Sequence, residues 1–284
     1  MGLEAGLINE LKVLRETDIA YLLVDEDLNE VFLHKHEISN QTLNENDIVQ
    51  AFLYYDQKGR LSATLKTPYL TLGEKGLLKV VGKVKNLGVF LDLGINKDLL
   101  LSKDFLPKNE SLWPIVDDYI LVTLTLKNRL IAKIVKYNEV IPSSNEIEEG
   151  MELIGYVQEL GPIGLFVYTK NGHLVLVRKD NLRKKYRLGE EVKVLITYKS
   201  KKGYEGNLSG FKEEVMLEDS ELILNYLNNH NNEMPLTDKS SSDDVKEVLN
   251  ISRKALKRAL GRLYKEDKVT FKNNKTYLVV KDEE

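Results

Sequence analysis

A pattern of about 70 residues recurs three times along the first part of the chain, and no other feature constrains its folding as strongly. In the middle copy Gly82-Lys-Val84 leads into Leu87-Gly-Val-Phe-Leu-Asp-Leu93, followed by Asp98-Leu-Leu-Leu-Ser-Lys103, the alternating run Tyr119 to Leu126, the turn Lys127-Asn-Arg129 and a last segment Leu130 to Ile134. In the third copy Gly155-Tyr-Val157 leads into Ile163-Gly-Leu-Phe-Val-Tyr168, then Leu174 to Val177, Arg187-Leu-Gly-Glu190, Val192 to Thr197 and Gly203 to Ser209. The first copy is more divergent, with Ala20 to Val24, Val31 to His34, Asp47 to Leu53 and Gly59 to Leu65. Each unit is a series of short strands punctuated by glycine, asparagine and lysine turns. Strands of this length and spacing predict small closed barrels rather than alternating strands and helices.

The expected fold is therefore mainly β with a C-terminal α+β domain. Three five-stranded Greek-key barrels of the OB type occupy residues 1–66, 67–142 and 143–212. Past about residue 213 the periodicity changes to that of helices. Met216, Leu217, Leu222, Ile223, Leu224, Tyr226 and Leu227 fit one amphipathic helix, and Ser242 to Leu249 begins a second with a serine cap and an acidic first turn. Ser252 is placed to cap a third, Arg253 to Lys265, and Asp267 to Val280 reads as a hairpin turning at Asn273-Asn274. Three helices and a hairpin make residues 213–284 a winged helix.

Charge is distributed unevenly. Residues 1–66 carry 6 Lys and Arg against 12 Asp and Glu, whereas residues 165–212 carry 12 against 4. A polyanion is drawn to the second block and repelled by the first. On this ground the first barrel is a spacer or protein-contact module. The third predicted helix carries Arg253, Lys254, Lys257, Arg258, Arg262 and Lys265 against the single acid Glu266. The helix dipole accounts for bases at the C-terminal end but not for Arg253 and Lys254 at the other. A helix of this kind after a helix and turn is the element that enters a nucleic-acid groove.

An OB barrel offers strands 2 and 3 as a face on which single strands lie, bases stacked on aromatic rings. Gly88-Val-Phe90 and Gly164-Leu-Phe166 place a glycine and then a ring in this position in two copies; Tyr21, Phe32, His34 and His36 are the rings available in the first. The candidate RNA contacts are accordingly Lys83, Lys85, Phe90, Ser102 and Lys103 in the middle barrel. In the third they are Tyr156, Phe166, Tyr168, Arg178, Lys179, Arg183, Lys184 and Lys185, and in the winged helix Arg253, Lys254, Lys257, Arg258 and Arg262.

Catalytic constellations are not evident. There is no cysteine and only four histidines, so thiolate or histidine metal sites are not expected, and no nucleotide-binding loop or nucleophile elbow occurs. Asp117-Asp118 and Asp243-Asp244 are pairs of the kind that bind magnesium in nucleases, but one reads as a loop before a strand and the other as a first helical turn. No enzyme activity, cofactor or metal is predicted. With no leader pattern or spanning segment, the cytoplasm is the expected compartment and no membrane contact is foreseen.

Residues 155–209, with Gly-x-Val, Gly-x-Phe-Val, Gly-Glu-x-Val-x-Val and Leu-Ser in order, resemble the S1 motif, and residues 82–134 do so in the middle copy. The resemblance implies barrels that bind single-stranded RNA without catalysis. The motif's His-x-Ser segment in strand 3 is only partly kept. The middle copy has Leu100 and Ser102; counted back from Arg187-Leu-Gly189, the third has Arg178 and Asp180; the first has His34-Lys-His36. Nearly the whole chain resembles the conserved virulence factor B (CvfB) family of bacterial RNA-binding proteins. The resemblance rests on Asp104-Phe-Leu-Pro107 with Leu112-Trp-Pro114, on Arg187-Leu-Gly189 and on Asp238-Lys-Ser-Ser241. It rests further on Ile251-Ser-Arg-Lys254, Lys257-Arg-Ala-Leu-Gly261 and Leu263-Tyr-Lys265. The family implies three S1-type domains, a winged helix and regulation of gene expression, virulence genes included, after transcription. In the third barrel the family usually has His-x-Ser-Glu-Arg before Pro-Arg-Leu-Gly, where this chain has Arg178-Lys-Asp-Asn-Leu182 and, after the basic Arg183-Lys-Lys185, Tyr186-Arg-Leu-Gly189. That change moves the expected contact from stacking toward phosphate attraction. The partner expected is single-stranded RNA, an mRNA, with DNA a second ligand open to the winged helix. The alternative is a winged-helix DNA-binding transcription factor whose barrels hold protein partners.

Overall fold

The computed structural model describes residues 2–38, 42–141, 143–182, 184–200, 203–208 and 212–279, the side chains of residues 200 and 212–218 excepted. The chain divides into two compact units, residues 1–180 with 186–207, and residues 208–284 with the short segment 181–185.

The first unit holds three closed barrels. Barrel 1 comprises β1 (Ile8–Glu16), β2 (Ala20–Val24), β3 (Glu30–His34), β4 (Ile48–Tyr55) and β5 (Leu61–Thr64). Barrel 2 comprises β6 (Lys75–Val84), β7 (Gly88–Leu91), β8 (Leu99–Ser102), β9 (Tyr119–Leu126) and β10 (Leu130–Ile134). Barrel 3 comprises β11 (Glu152–Gly161), β12 (Gly164–Thr169), β13 (Leu174–Arg178), β14 (Glu191–Ser200) and β15 (Gly203–Leu208). In each, strands close in the order 1-2-3-5-4, the OB arrangement, with strands 3 and 5 parallel. Alternation sets the inward face: Ile120, Val122 and Leu124 of β9 are fully buried, as are Val175 and Val177 of β13. The first strand of every barrel carries a bulge at one equivalent place, between Val13 and Arg15, Val80 and Gly82, and Val157 and Glu159. The bend lets one strand pair with β2 on one side and β4 on the other, as closure requires.

Barrels 2 and 3 share a joint that the repeat pattern does not suggest. Arg187, on the loop before β14, forks onto Asp118 of barrel 2 at 2.9 and 2.8 Å. Leu188 is buried among the core side chains of barrel 2, with Trp113 and Ile120 in the same cluster, and its N–H donates to the Leu112 carbonyl at 3.0 Å. A Cβ on Gly189 would lie 2.9 Å from that of Asp118. Nearby, the fully buried Gln158 amide accepts from the Leu121 N–H and donates to the Leu121 and Val135 carbonyls, at 2.8–3.0 Å. Asp118 is thus a structural carboxylate, 7% exposed, rather than half of a metal pair.

In the second unit α1 (Lys212–Asn229), α2 (Ser242–Leu249) and α3 (Arg253–Lys265) pack on a small sheet. Its strands are β16 (Glu233–Met234), β17 (Val269–Lys272) and β18 (Lys275–Leu278), in the order β16-β18-β17. The core joins Ile223 and Leu227 of α1, Val245 and Leu249 of α2, and Leu256, Ala259, Leu260 and Leu263 of α3. The cap of α2 is Ser241 rather than Ser242: its hydroxyl accepts from the Asp244 N–H at 3.1 Å. Ser252 caps α3 through the Ala255 N–H at 3.2 Å, as expected. Asn273 and Asn274, at φ 51° and 59°, form the tight left-handed turn of the wing. Of the segments predicted from sequence, Ser209 and Val280 lie outside the described residues.

Candidate nucleic-acid interface

The faces of strands 2 and 3 are set by two close approaches. Gly88 pairs with Ser102 and Gly164 with Arg178 across the sheet. At φ 145° and 153° each glycine lies so near strand 3 that a Cβ would stand 2.1 or 2.0 Å from the carbonyl oxygen of Leu101 or Val177. Only glycine fits. Two residues on, Phe90 pairs with Leu100 and Phe166 with Leu176, both rings half-buried on the outward side while Val89, Leu91, Leu165 and Val167 fill the cores. In barrel 1 the pair at this place is Leu22 with Phe32, so the ring has moved to strand 3.

This register corrects the expected alignment of the third copy. Arg178 corresponds to Ser102 and His34, and Leu176 to Leu100, so Asp180 has no place in the pair. Counting back from Arg187-Leu-Gly189 crosses a loop shorter than its counterpart in barrel 2. The strand-3 end also has a local task. Ser102 and His34 each cap a following 3-10 turn, accepting from Asp104 N–H at 3.3 Å and His36 N–H at 3.2 Å. Ser102 is therefore occupied as a cap.

The barrels differ around their rings. Beside Phe90, Gly82 leaves the bulge open, a Cβ there reaching no closer than 3.7 Å to Phe90. Lys83, Lys85 and Lys103 are all exposed, and Lys83 also donates to the Glu110 carbonyl at 3.0 Å with its ammonium 5.4 Å from the Trp113 ring. In barrel 3, Phe166 is not a bare platform: Tyr137, from the segment joining barrels 2 and 3, stacks on it at 4.5 Å and 11°. The Glu159 carboxylate holds Tyr137 there by accepting its N–H at 3.1 Å. Tyr156 is 4% exposed, its ring 5.0 Å from that of Tyr119, and belongs to the joint rather than to the surface. Tyr168 is half-buried, and burial pushes its hydroxyl above the usual range, leaving a neutral donor. Arg178 forks onto Glu205 at 2.8 and 2.6 Å, so its charge is partly answered. Lys179, Lys184 and Lys185 are exposed, and Arg183 lies outside the described residues. On barrel 1, Phe32, His34 and His36 form a run of rings with centroids 6.4 and 4.8 Å apart, and the Arg60 guanidinium sits 5.5 Å from the Phe32 centroid. Its acidity therefore does not leave it without an aromatic face.

In the second unit Arg253, Lys254, Lys257 and Arg258 of α3 are exposed, and among the described residues no carboxylate lies within ion-pair distance of them. Arg262 is different. It pairs with Glu266 at 2.7 Å, and Lys268 meets the same carboxylate at 2.8 Å. These two cations hold the Glu266 carboxyl down at about 2.

Three OB barrels with outward rings, followed by a winged helix whose third helix keeps unneutralised bases, define a non-catalytic nucleic-acid-binding protein; OB-type barrels generally bind single strands. Residues 5–66 match the S1 domain family, residues 76–133 the CvfB first S1-like domain family and residues 221–278 the CvfB-like winged helix domain family. The chain is 35% identical to the uncharacterized protein YitL of Bacillus subtilis, over 94% of this chain and 91% of that one. It is 31% identical to conserved virulence factor B of Staphylococcus haemolyticus, over 97% and 95%. A crystal structure from Streptococcus pneumoniae, described as a multidomain protein with nucleic acid binding domains, matches with a TM-score of 0.61 and 27% identity, over 97% of this chain and 98% of the other. The chain belongs to the conserved virulence factor B family. The CvfB "first" domain family matches the middle barrel here. Among the described residues no group of three acidic or histidine side chains is placed to hold a metal, and no helix is long and apolar enough to cross a membrane.

Proposed function

We propose that this protein binds single-stranded RNA in the cytoplasm and regulates gene expression, virulence genes included, after transcription. One observation carries the reading: Phe90 and Phe166 occupy the same register position on the outward face of successive barrels, each two residues past a glycine that only a close strand approach explains. The name conserved virulence factor B, borne by the staphylococcal relatives, supports the link to virulence. The net +8 segment 165–212 and the unpaired bases of α3 supply the electrostatic grip. Residues 143–212 and 213–284 are its main parts, with residues 67–142 contributing.

Fluorescence anisotropy with an unstructured oligoribonucleotide and a competing DNA duplex tests this. The RNA binds more tightly, and the logarithm of its affinity falls linearly with that of salt by about 0.7 per phosphate contact. Phe90→Ala weakens binding about five- to 150-fold, the value of one stacked base. Preference for the duplex, with barrels that bind no RNA, would overturn the reading in favour of a DNA-binding transcription factor.

A further inference from the structure

We infer that the winged helix holds a nucleobase of single-stranded RNA in a pocket between α3 and the wing, stacked on Tyr264 and Phe271. The inference rests on the RNA reading above and adds a site to it. The two rings stack on each other, centroids 5.5 Å apart at 27°, yet both remain exposed, 56% and 39%. With Leu260, Gly261, Lys257, Arg258 and Asp238 they line an open pocket of about 370 Å³. Exposed stacked rings beside cations are the arrangement on which unpaired bases settle, whereas a duplex buries its base faces.

Gly261 is the telling residue. It lies inside α3 with ordinary helical backbone, where glycine is the poorest choice short of proline. Apart from its chain neighbours and the backbone of its own helix, nothing described stands within 4 Å of the Cβ it lacks. Neither backbone conformation nor packing within the fold calls for it, so the space it leaves is space in the pocket. Lys254, Lys257 and Arg258 precede Gly261 by seven, four and three residues and so share its face of the helix. Their charges have no carboxylate partner among the described residues and complement a phosphate chain leading to the pocket. The Asp238 carboxylate, on the same lining, can accept an N–H from a base edge.

The test uses the full chain and a fluorescein-labelled, unstructured oligoribonucleotide. Tyr264→Ala is expected to weaken binding about five- to 150-fold, the range for one stacked base. Gly261→Leu, which fills the pocket, should weaken it comparably. Gly261→Ala should raise the thermal midpoint of the winged helix by a few degrees, showing that the glycine serves no folding need. Ultraviolet crosslinking of RNA to the unmodified protein should map to peptides containing Tyr264 or Phe271. If the unmodified protein binds RNA while Tyr264→Ala and Gly261→Leu bind equally well and no crosslink maps there, the pocket assignment is overturned and the RNA reading stands; this is the outcome expected of a protein-docking surface. If the unmodified protein binds no RNA, the broader reading fails and takes the pocket assignment with it.

Discussion

Leu188→Ala should destabilise barrel 2 although the residue precedes the fourth strand of barrel 3. The side chain is 4% exposed and sits in a cluster with Trp113, Ile120 and Val122. Truncating a buried leucine removes its transfer free energy and leaves a cavity, together about 2–5 kcal/mol. The site lies at a joint that can close partway, which places the expected loss near 3 kcal/mol. With a urea slope of about 1.5 kcal/mol/M this moves the unfolding midpoint by about 2 M. Trp113 is the only tryptophan and is 3% exposed, so its fluorescence reports on the core of barrel 2 and the joint that Leu188 enters. A urea titration read at Trp113 should show the full shift. If the Trp113 transition stays within about 0.5 kcal/mol of the parent's, a level typical of surface changes, Leu188 serves barrel 3 only and the joint has been misread.

Three further outcomes follow from the same geometry. Gly164→Ala forces a Cβ to 2.0 Å from the Val177 carbonyl oxygen at φ 153°; we expect barrel 3 to lose about 2–4 kcal/mol in thermal denaturation, and an unchanged midpoint would refute the close approach. Gln158→Met strands the Leu121 N–H and the Val135 carbonyl in a buried joint, while the Leu121 carbonyl keeps the Val135 N–H, at a cost of about 2–4 kcal/mol measured by calorimetry; a neutral result would mean water reaches them. The Glu266 carboxyl, held at about 2 by Arg262 and Lys268, contributes stability that is present above the ordinary carboxylate range near 4.5 and is lost as pH falls toward 2. Carbon-detected NMR titration should find it ionised at pH 3, and Arg262→Gln should bring its midpoint back up.

The barrels were legible because strands such as Tyr119–Leu126 alternate cleanly and because the pattern recurs. β1 was not, since in Ile8–Glu16 only Leu11 and Val13 are buried and the rest of the strand is exposed or half-buried. β16 is two residues long and carries no period. Phe90 and Phe166 could be placed from their glycines, but the hydrogen-bond register of strand 3 could not be counted across loops of unequal length. Tyr137 escaped notice because a lone tyrosine in a linker gives no sign of the ring it will cover. Tyr264 and Phe271 lie seven residues apart on a helix and a strand, and only the fold makes them neighbours. Arg187-Leu-Gly189 was conspicuous as a family feature, yet its partner Asp118 lies 69 positions away and reads in the sequence as part of a loop before a strand.

That segment also gives the molecule a timetable. The last strand of barrel 2 ends at Ile134, but the side chain that completes its core is Leu188. During synthesis at about 5–20 residues per second, barrel 2 stands for roughly 3–11 seconds after its own strands are made without this part of its core. Through that interval Trp113 and its neighbours face an open seat, and barrel 3 begins to form already attached to it. Force measurements on stalled ribosomes should therefore register a stronger pull from barrel 2 once residue 188 has left the exit tunnel, and a pull already at full strength when only residue 134 has emerged would contradict this. The two barrels are born as a pair.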